Sequence, residues 1–212
     1  MLLTGVWNET VNPGATLQIM KELIFVTNNP HKLKEIRAII GDRFQLLSLY
    51  DIGCTEEIEE HADTIEGNAS LKSWYVYNKY GKDCFADDTG LEIYALGGKP
   101  GVKSARYAGE DCNPENNIRK VLEELARVTN RNARFRTVIS LIRNGRELQF
   151  EGTVEGAILH KKQGKDGFGY DPVFLPDGYD QSFAEMSPEQ KNQISHRGRA
   201  IHKLIEYLKH SA

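Results

Sequence analysis

The chain has few cysteines and no long apolar run, and both deficits disfavour whole classes of protein. Its three cysteines, Cys54, Cys84 and Cys112, lie far apart and lack the spacing of a zinc site. A disulfide framework is therefore not indicated, and a reducing cytoplasm is the expected location. No stretch approaches the roughly 20 apolar residues of a membrane span, and the N-terminus lacks the regions of a signal peptide. We expect neither membrane insertion nor export.

An excess of charge of one sign is also lacking. The 27 Lys and Arg residues nearly balance the 30 Asp and Glu residues, which gives a formal net charge of −3. Such a chain has no general positive field, so nonspecific binding to nucleic acid or to a membrane surface is disfavoured. Hydrophobic residues at 40% and charged residues at 27% are typical of a folded globule. Any function has to come from a local site.

The N-terminal half of the chain predicts alternating strands and helices. An apolar strand over 22–27 leads directly into a helix over 30–41. A second helix is predicted over 64–80, followed by a short strand over 84–87, and a third helix begins at Asn113. Because a strand that feeds a helix returns to a parallel neighbour, this half favours parallel pairing.

The C-terminal half predicts antiparallel pairing. Asn144-Gly145 favours the positive φ values of a two-residue turn and joins strands over 133–143 and 146–150 in a hairpin. A further strand is predicted over 153–159, and the sequence Ser187-Pro188-Glu189-Gln190 has the pattern of a capping box that opens the C-terminal helices. The two halves together predict an α/β fold with a mixed sheet flanked by helices.

The hexapeptide Thr27-Asn28-Asn29-Pro30-His31-Lys32 lies where the first strand meets its helix. Free backbone N–H groups and the helix dipole favour an anion at such a junction, and a phosphate would fit there. An ordinary helix cap beside a solvated lysine accounts for the same residues equally well. The glycine patterns of a P-loop and of a dinucleotide fold are absent.

Two adjacent carboxylates, Asp87 and Asp88, follow an apolar strand. They would repel each other unless a cation or basic side chains offset their charge. Successive strand residues point to opposite faces, so one carboxylate can face a cleft while the other anchors the turn. An acid-rich turn closed by Gly90 is the alternative. Upstream acids could complete a Mg²⁺ site, although such a run usually forms a solvated surface; they are Glu56, Glu57, Glu59 and Glu60.

The segment Asp166–Pro172 interleaves glycines with Phe168 and Tyr170. An exposed ring there could stack on a purine, whereas a tight turn would place one of the two rings in the core. Downstream, Lys191 and His196 would point about 140° apart on one continuous helix, so a shared site requires a break near Ser195. Without that break these residues and Arg197 are surface cations.

Six motifs in this order resemble the inosine triphosphate pyrophosphatase family: TNNPHK, the Glu-rich stretch before TIEGNASLK, FADDTGL, GGKPGVKSARYAGED, DGFGYDPVF and AEMSPEQKNQISHRGRA. The resemblance implies one domain over 21–212, with 1–20 as an extension outside it. It implies an elongated mixed sheet flanked by helices around a central substrate cleft, and a homodimer. The implied enzyme is a hydrolase of acid anhydrides that uses Mg²⁺ to convert ITP, dITP and XTP to the monophosphate and pyrophosphate, and so cleanses the nucleotide pool.

The resemblance also implies roles for individual residues. The catalytic residues would be Asp88, Lys32 and Lys72, and Mg²⁺ would be held by Asp88 and Glu60. The substrate would contact Thr27, Asn28, Asn29, Pro30, His31, Lys32, Thr89, Phe168, Gly169, Tyr170, Asp171, Lys191, His196 and Arg197. Asn28 replaces the usual glycine, and asparagine tolerates left-handed backbone. Two other functions remain open: a pyrophosphatase for modified pyrimidine triphosphates, and a non-catalytic nucleotide-binding protein.

Overall fold

The computed structural model describes residues 21–210, so the predicted extension over 1–20 lies outside the described residues. The strands form one seven-stranded sheet in the order β2-β1-β3-β5-β6-β7, with β4 paired to β3. Their bounds are β1 Lys21–Phe25, β2 Phe44–Leu47, β3 Cys84–Ile93, β4 Lys99–Gly101, β5 Asn132–Arg143, β6 Arg146–Ile158 and β7 Phe174–Pro176. The α-helices are α1 Pro30–Ile40, α2 Ile65–Tyr80, α3 Pro114–Glu124, α4 Pro188–Ile194 and α5 His196–His210.

The predicted mixed sheet is confirmed. Strand β1 pairs in parallel with β2 and β3, and the other strand pairs are antiparallel. The helix caps also follow the sequence: the Asn29 side chain accepts hydrogen bonds at the start of α1, and Gly41 with φ 57° follows its end. No helix between residues 21 and 210 is both long and apolar enough to cross a membrane.

Helices cover the first strands of the sheet on both faces. Helices α1 and α5 pack on the face that includes Phe25 and Phe85, whereas α2 packs on the face that includes Ile24 and Cys84. Adjacent residues of β1 and β3 thus enter different hydrophobic layers, as the two-residue period of a strand requires. This alternation also sets which way the acidic residues at the far end of β3 point.

Strand β3 is longer than predicted. It includes Asp88, Thr89 and Gly90, so the predicted turn at these residues is wrong. A Cβ on Gly90 would lie 2.7 Å from the carbonyl oxygen of Gly101 in β4. Gly90 therefore allows the close approach of a neighbouring strand, which is another common use of glycine within a sheet.

The two strands predicted over 146–150 and 153–159 are one continuous strand, β6. Gly152 lies between the two predicted strands and Gly156 lies within the second, and each faces a backbone that lies too close for a side chain. A Cβ on Gly152 would lie 2.0 Å from the carbonyl oxygen of His196, and one on Gly156 would lie 2.3 Å from that of Leu175. These glycines admit α5 and β7 and do not end the strand.

Candidate active site

A cleft of about 490 Å³ lies beyond the end of β1 and beside the middle of β3. All of the predicted site residues line it except Asn28, Pro30 and Lys72. Asn28 and Pro30 are exposed. The residues other than glycine with positive φ within 21–210 are Cys112 and Asn144, so Asn28 does not use the left-handed backbone considered for it.

Asp88 belongs to the cleft and to the α2 side of the sheet. Its carboxylate accepts hydrogen bonds from Asn68 Nδ2 at 3.3 Å and from the Thr89 amide at 2.9 Å. The Lys72 ammonium lies 3.9 Å away. Burial raises the pKa of Asp88 above its usual value, because the nearby Lys72 and Lys32 charges only partly offset the lost hydration. This carboxyl group can therefore take up a proton more readily than an ordinary aspartate.

Asp87 points to the opposite face and is fully buried. Lys32 Nζ lies 2.8 Å from one carboxylate oxygen, and Arg197 Nε lies 3.0 Å from the other. Burial alone would raise the pKa of Asp87, but Lys32 and Arg197 hold it well below the usual value. Asp87 is therefore an anion held between two cations, and its environment differs from that of the adjacent Asp88.

We expect the two aspartates to titrate on opposite sides of the ordinary Asp value of about 3.9. Carboxyl ¹³C NMR of the metal-free protein measures both pKa values, and the variants Asp87→Asn and Asp88→Asn assign the two signals. Because the pKa of folded Asp87 is depressed, its ion pairs stabilise the fold above the unfolded pKa, and this contribution is lost as pH falls through the folded pKa. A common pKa for the two carboxyls would contradict the assignment of their environments.

Asp87 is part of a longer series of buried ion pairs, which we call the ion-pair chain. It consists of six side chains of alternating charge, in the order Lys32, Asp87, Arg197, Glu35, Lys191 and Asp171. Three cations and three anions give it a formal charge of zero. The chain connects α1, β3, α4, α5 and the loop before β7, which are the walls of the cleft.

Glu35 and Asn68 were not predicted, although their spacing contains a signal. Glu35 lies three residues after Lys32 on α1, and Asn68 lies four residues before Lys72 on α2, so each shares a helix face with a predicted residue. Glu35 accepts hydrogen bonds from Lys191 at 2.7 Å and from Arg197 at 2.6 Å. Their charges lower the pKa of Glu35 despite its burial.

Lys72 lies behind the cleft between two carboxylates. Its ammonium pairs with Glu60, lies near Asp88 and donates to the Asp87 carbonyl at 2.8 Å. Burial alone would lower the pKa of Lys72, but Asp88 and Glu60 raise it, so the side chain stays charged. Of the four predicted upstream acids, Glu60 lines the cleft, whereas Glu56, Glu57 and Glu59 are exposed.

The donors near Asp88 fit a hard divalent cation. Asp88 and Glu60 supply carboxylate oxygens beside an open cleft, and Mg²⁺ usually takes one or two carboxylates together with water and substrate phosphates. No cluster of three or more His, Cys, Asp or Glu side chains is placed to hold a metal within residues 21–210. The two carboxylates therefore suit a cation whose other ligands are water or substrate oxygens, and not an all-protein metal cage.

Both rings of the aromatic loop line the cleft, and Tyr170 is also part of a core cluster. Tyr170 is buried, and its hydroxyl donates to the Ser104 carbonyl at 2.9 Å. Phe168 is half-buried at the cleft, where its amide donates to Asp171 at 2.8 Å and the Lys191 ammonium lies 4.9 Å from its ring centre. Phe168 therefore offers the cleft an aromatic surface.

The break predicted near Ser195 is present, because Ser195 is extended between α4 and α5 with ψ 156°. Lys191, His196 and Arg197 then reach one cleft and are all buried, so the alternative of surface cations is wrong. The His196 ring stacks on Phe135 with ring centres 4.6 Å apart. Burial and the Arg197 and Lys191 charges lower the pKa of His196 well below its usual value, so its imidazole is neutral at pH 7.

Comparisons with known proteins agree with the predicted resemblance. The profile of the Ham1 family matches residues 23–207. A protein from Christiangramia forsetii named dITP/XTP pyrophosphatase is 54% identical over 187 residues, covering 88% of this chain and 98% of the relative. A protein of the same name from Porphyromonas gingivalis is 55% identical over 190 residues, covering 89% of this chain and 98% of the relative. The structure of the Staphylococcus aureus Ham1 protein aligns with a TM-score of 0.83 and 40% identity, covering 91% and 100%. The chain belongs to the Ham1 family.

Proposed function

We propose that this protein hydrolyses non-canonical purine nucleoside triphosphates, among them dITP, XTP and ITP, to the monophosphate and pyrophosphate. The position of Asp88 is the main support: its carboxylate, with a raised pKa, lines the same cleft as Lys32 and Phe168 and lies 3.9 Å from the Lys72 ammonium. The relatives named dITP/XTP pyrophosphatase support the choice of substrate.

The lysines account for binding of the polyphosphate. A triphosphate brings roughly four negative charges, and a protein of net charge −3 needs local cations to hold it. Lys32 lines the cleft, and its ammonium has three donors, of which Asp87 takes one. The Asn29 side chain already accepts from the His31 and Lys32 amides. The Lys32 side chain therefore suits the phosphates better than these two amides do.

In the proposed reaction Asp88 orients a water molecule and accepts its proton, since a carboxylate with a raised pKa is an adequate general base. Asp88 and Glu60 would hold Mg²⁺. When bound, this ion would offset phosphate charge and lower the pKa of the attacking water. Lys72 would offset the repulsion between the two carboxylates, because it pairs with Glu60 and lies near Asp88.

The base would stack on Phe168, and the buried polar groups around it would distinguish one purine from another. His196 and Arg197 line the same cleft as Phe168, and a buried polar group that loses its partner makes a mismatched base costly. Discrimination of a 6-oxo purine from a 6-amino purine would come from these groups, because a ring can stack on any base.

A panel of triphosphates tests the proposed function. Pyrophosphate release with Mg²⁺ is measured for dITP, XTP, ITP, ATP, GTP and modified pyrimidine triphosphates. We expect the highest kcat/KM for dITP, XTP and ITP. A preference for modified pyrimidines would favour the related pyrophosphatase, and nucleotide binding without turnover would favour a non-catalytic nucleotide-binding protein.

We expect Phe168→Ala to lower kcat/KM for all purine triphosphates alike. Loss of base stacking costs about 1–3 kcal/mol, or roughly five- to 150-fold. Phe150→Ala is the control, because Phe150 is a half-buried ring that packs against Tyr207, outside the cleft. Steady-state kinetics with dITP and ATP measure both variants. A changed ratio of dITP to ATP in Phe168→Ala would contradict a purely stacking role.

We also propose that residues 21–212 form one domain, that the protein is a homodimer and that it acts in the cytoplasm. The match of the family profile over 23–207 supports the domain. Cys54, Cys84 and Cys112 are free, which suits a reducing compartment. The homodimer rests on the resemblance, and light scattering during size-exclusion chromatography tests it.

A further inference from the structure

The turn Ser104–Arg106 connects the two sides of the cleft. On the aromatic side, the Tyr170 hydroxyl donates to the Ser104 carbonyl at 2.9 Å. On the acidic side, Arg106 Nη2 donates to the Glu60 carbonyl at 2.9 Å. The turn is also fixed from behind, because Asn117 Nδ2 donates to the Ala105 carbonyl at 2.7 Å. Arg106 therefore extends from a turn that is anchored at its two preceding residues.

Glu60 lies in a segment that needs such contacts. The connection between β2 and α2 contains no helix or strand, and after the turn that is closed by the Cys54 amide and the Leu49 carbonyl, side chains from other elements contact it. Three of these contacts flank the cleft: Lys72 pairs with the Glu60 carboxylate, Arg106 donates to the Glu60 carbonyl, and Asn68 Oδ1 accepts from the Ala62 amide at 2.9 Å. Among them, Arg106 fixes the backbone of Glu60 itself.

We propose that Arg106 is a positioning residue that keeps Glu60 at the cleft, where its carboxylate and that of Asp88 could hold one divalent cation. This inference rests on the proposed function, in which Glu60 and Asp88 share the cation. The Arg106 side chain is not among those that line the cleft, so it acts through the Glu60 backbone. Without Arg106, the Lys72 ammonium still attracts the Glu60 carboxylate, but the Glu60 carbonyl loses the Arg106 hydrogen bond and the Glu60 backbone is held less firmly at the cleft.

The test compares two substitutions of similar length, Arg106→Met without a donor and Arg106→Lys with one. Electron paramagnetic resonance measures the binding of Mn²⁺, used alone as a probe, to the otherwise intact protein. We expect Arg106→Met to bind Mn²⁺ about tenfold more weakly, at the low end of the effects of outer-shell partners. Arg106→Lys should recover part of the affinity. Arg119→Ala is the control, because Arg119 is an exposed α3 residue that donates to Asn116.

Glu60→Gln tests the proposed cation site separately from the positioning role of Arg106. Weaker Mn²⁺ binding in both Glu60→Gln and Arg106→Met, with Arg119→Ala unchanged, supports the positioning role. Weaker binding in Glu60→Gln with normal binding in Arg106→Met overturns the inference alone. Normal binding in Glu60→Gln overturns both the cation site and the inference. Melting temperatures identify any variant that does not fold. If Arg106→Met does not fold, the Mn²⁺ affinity of Arg106→Lys is compared with that of the unchanged protein: weaker binding supports the positioning role, and equal binding overturns it.

Discussion

Asp88→Asn is expected to lower kcat for dITP by about 10²–10⁴-fold, the usual contribution of a general base. The substitution keeps the size of the side chain and the oxygen that accepts from the Thr89 amide, but it removes the charge that takes a proton or binds a cation. The fold should survive. Because burial raises the pKa of Asp88, its ionised form is destabilised in the folded protein, so loss of the charge should leave the melting temperature unchanged or higher.

Asp87→Asn is the matched control, since it removes the neighbouring carboxylate from the same strand. It leaves Lys32 and Arg197 with fewer partners in a buried place, and we therefore expect a clear loss of stability. The two variants should therefore have different defects. Asp88→Asn should lose turnover and keep its stability, whereas Asp87→Asn should lose stability. Near-normal kcat in Asp88→Asn, measured with saturating Mg²⁺, would refute the assignment of Asp88.

The different environments of the two aspartates follow from the two-residue period of β3. The sequence alone predicts that one carboxylate can face a cleft, but not which one. That choice depends on which helix covers which face: Asp87 shares a face with Phe85 and meets residues of α1 and α5, whereas Asp88 shares a face with Cys84 and meets α2. Helix placement is a tertiary feature that local patterns do not contain.

Elements with strong local signals were predicted well. The cap at Asn29, the capping box at Ser187 and the Asn144-Gly145 turn each act within a few residues, and each is present. Strands β2, β4 and β7 were not predicted, because strands of three or four residues are too short to display a period. They exist because long neighbours offer them hydrogen bonds. The continuity of β6 through Gly152 was not predicted for a related reason: the close approach of α5 that this glycine permits is not visible in the sequence.

Arg197→Ala should cause the largest loss of stability among single substitutions in the ion-pair chain. The Arg197 guanidinium is 2% exposed and donates to Asp87 at 3.0 Å, to Glu35 at 2.6 Å and to Thr89 at 3.2 Å. Its removal leaves two cations facing three anions. Breaking a buried pair by removing one partner costs about 3–5 kcal/mol, and we expect a decrease of that size in the free energy of unfolding. Urea denaturation followed by circular dichroism measures it.

Arg199→Ala is the control for this prediction, because Arg199 lies two residues further along α5 and donates instead to the exposed edge of β6, at the Thr153 carbonyl. We expect Arg199→Ala to lower the free energy of unfolding by less than about 1 kcal/mol, the net contribution of an ordinary hydrogen bond. If Arg197→Ala lowered the free energy of unfolding no more than Arg199→Ala, Lys32 and Lys191 would be enough to stabilise the Asp87 and Glu35 carboxylates. The ion-pair chain would then not depend on Arg197.

The balance of charge in the ion-pair chain gives the prediction a second, independent test. Adding Glu35→Gln to Arg197→Ala leaves two cations, Lys32 and Lys191, facing two anions, Asp87 and Asp171. The double variant should therefore lose less stability than the sum of the two single variants, by about 0.5–3 kcal/mol for residues in one network. Simple additivity would mean that Arg197 and Glu35 stabilise the fold independently of each other. A positive coupling would instead show that the walls of the cleft are held together by compensating buried charges, for which Glu35 on α1 and Arg197 on α5 are direct partners.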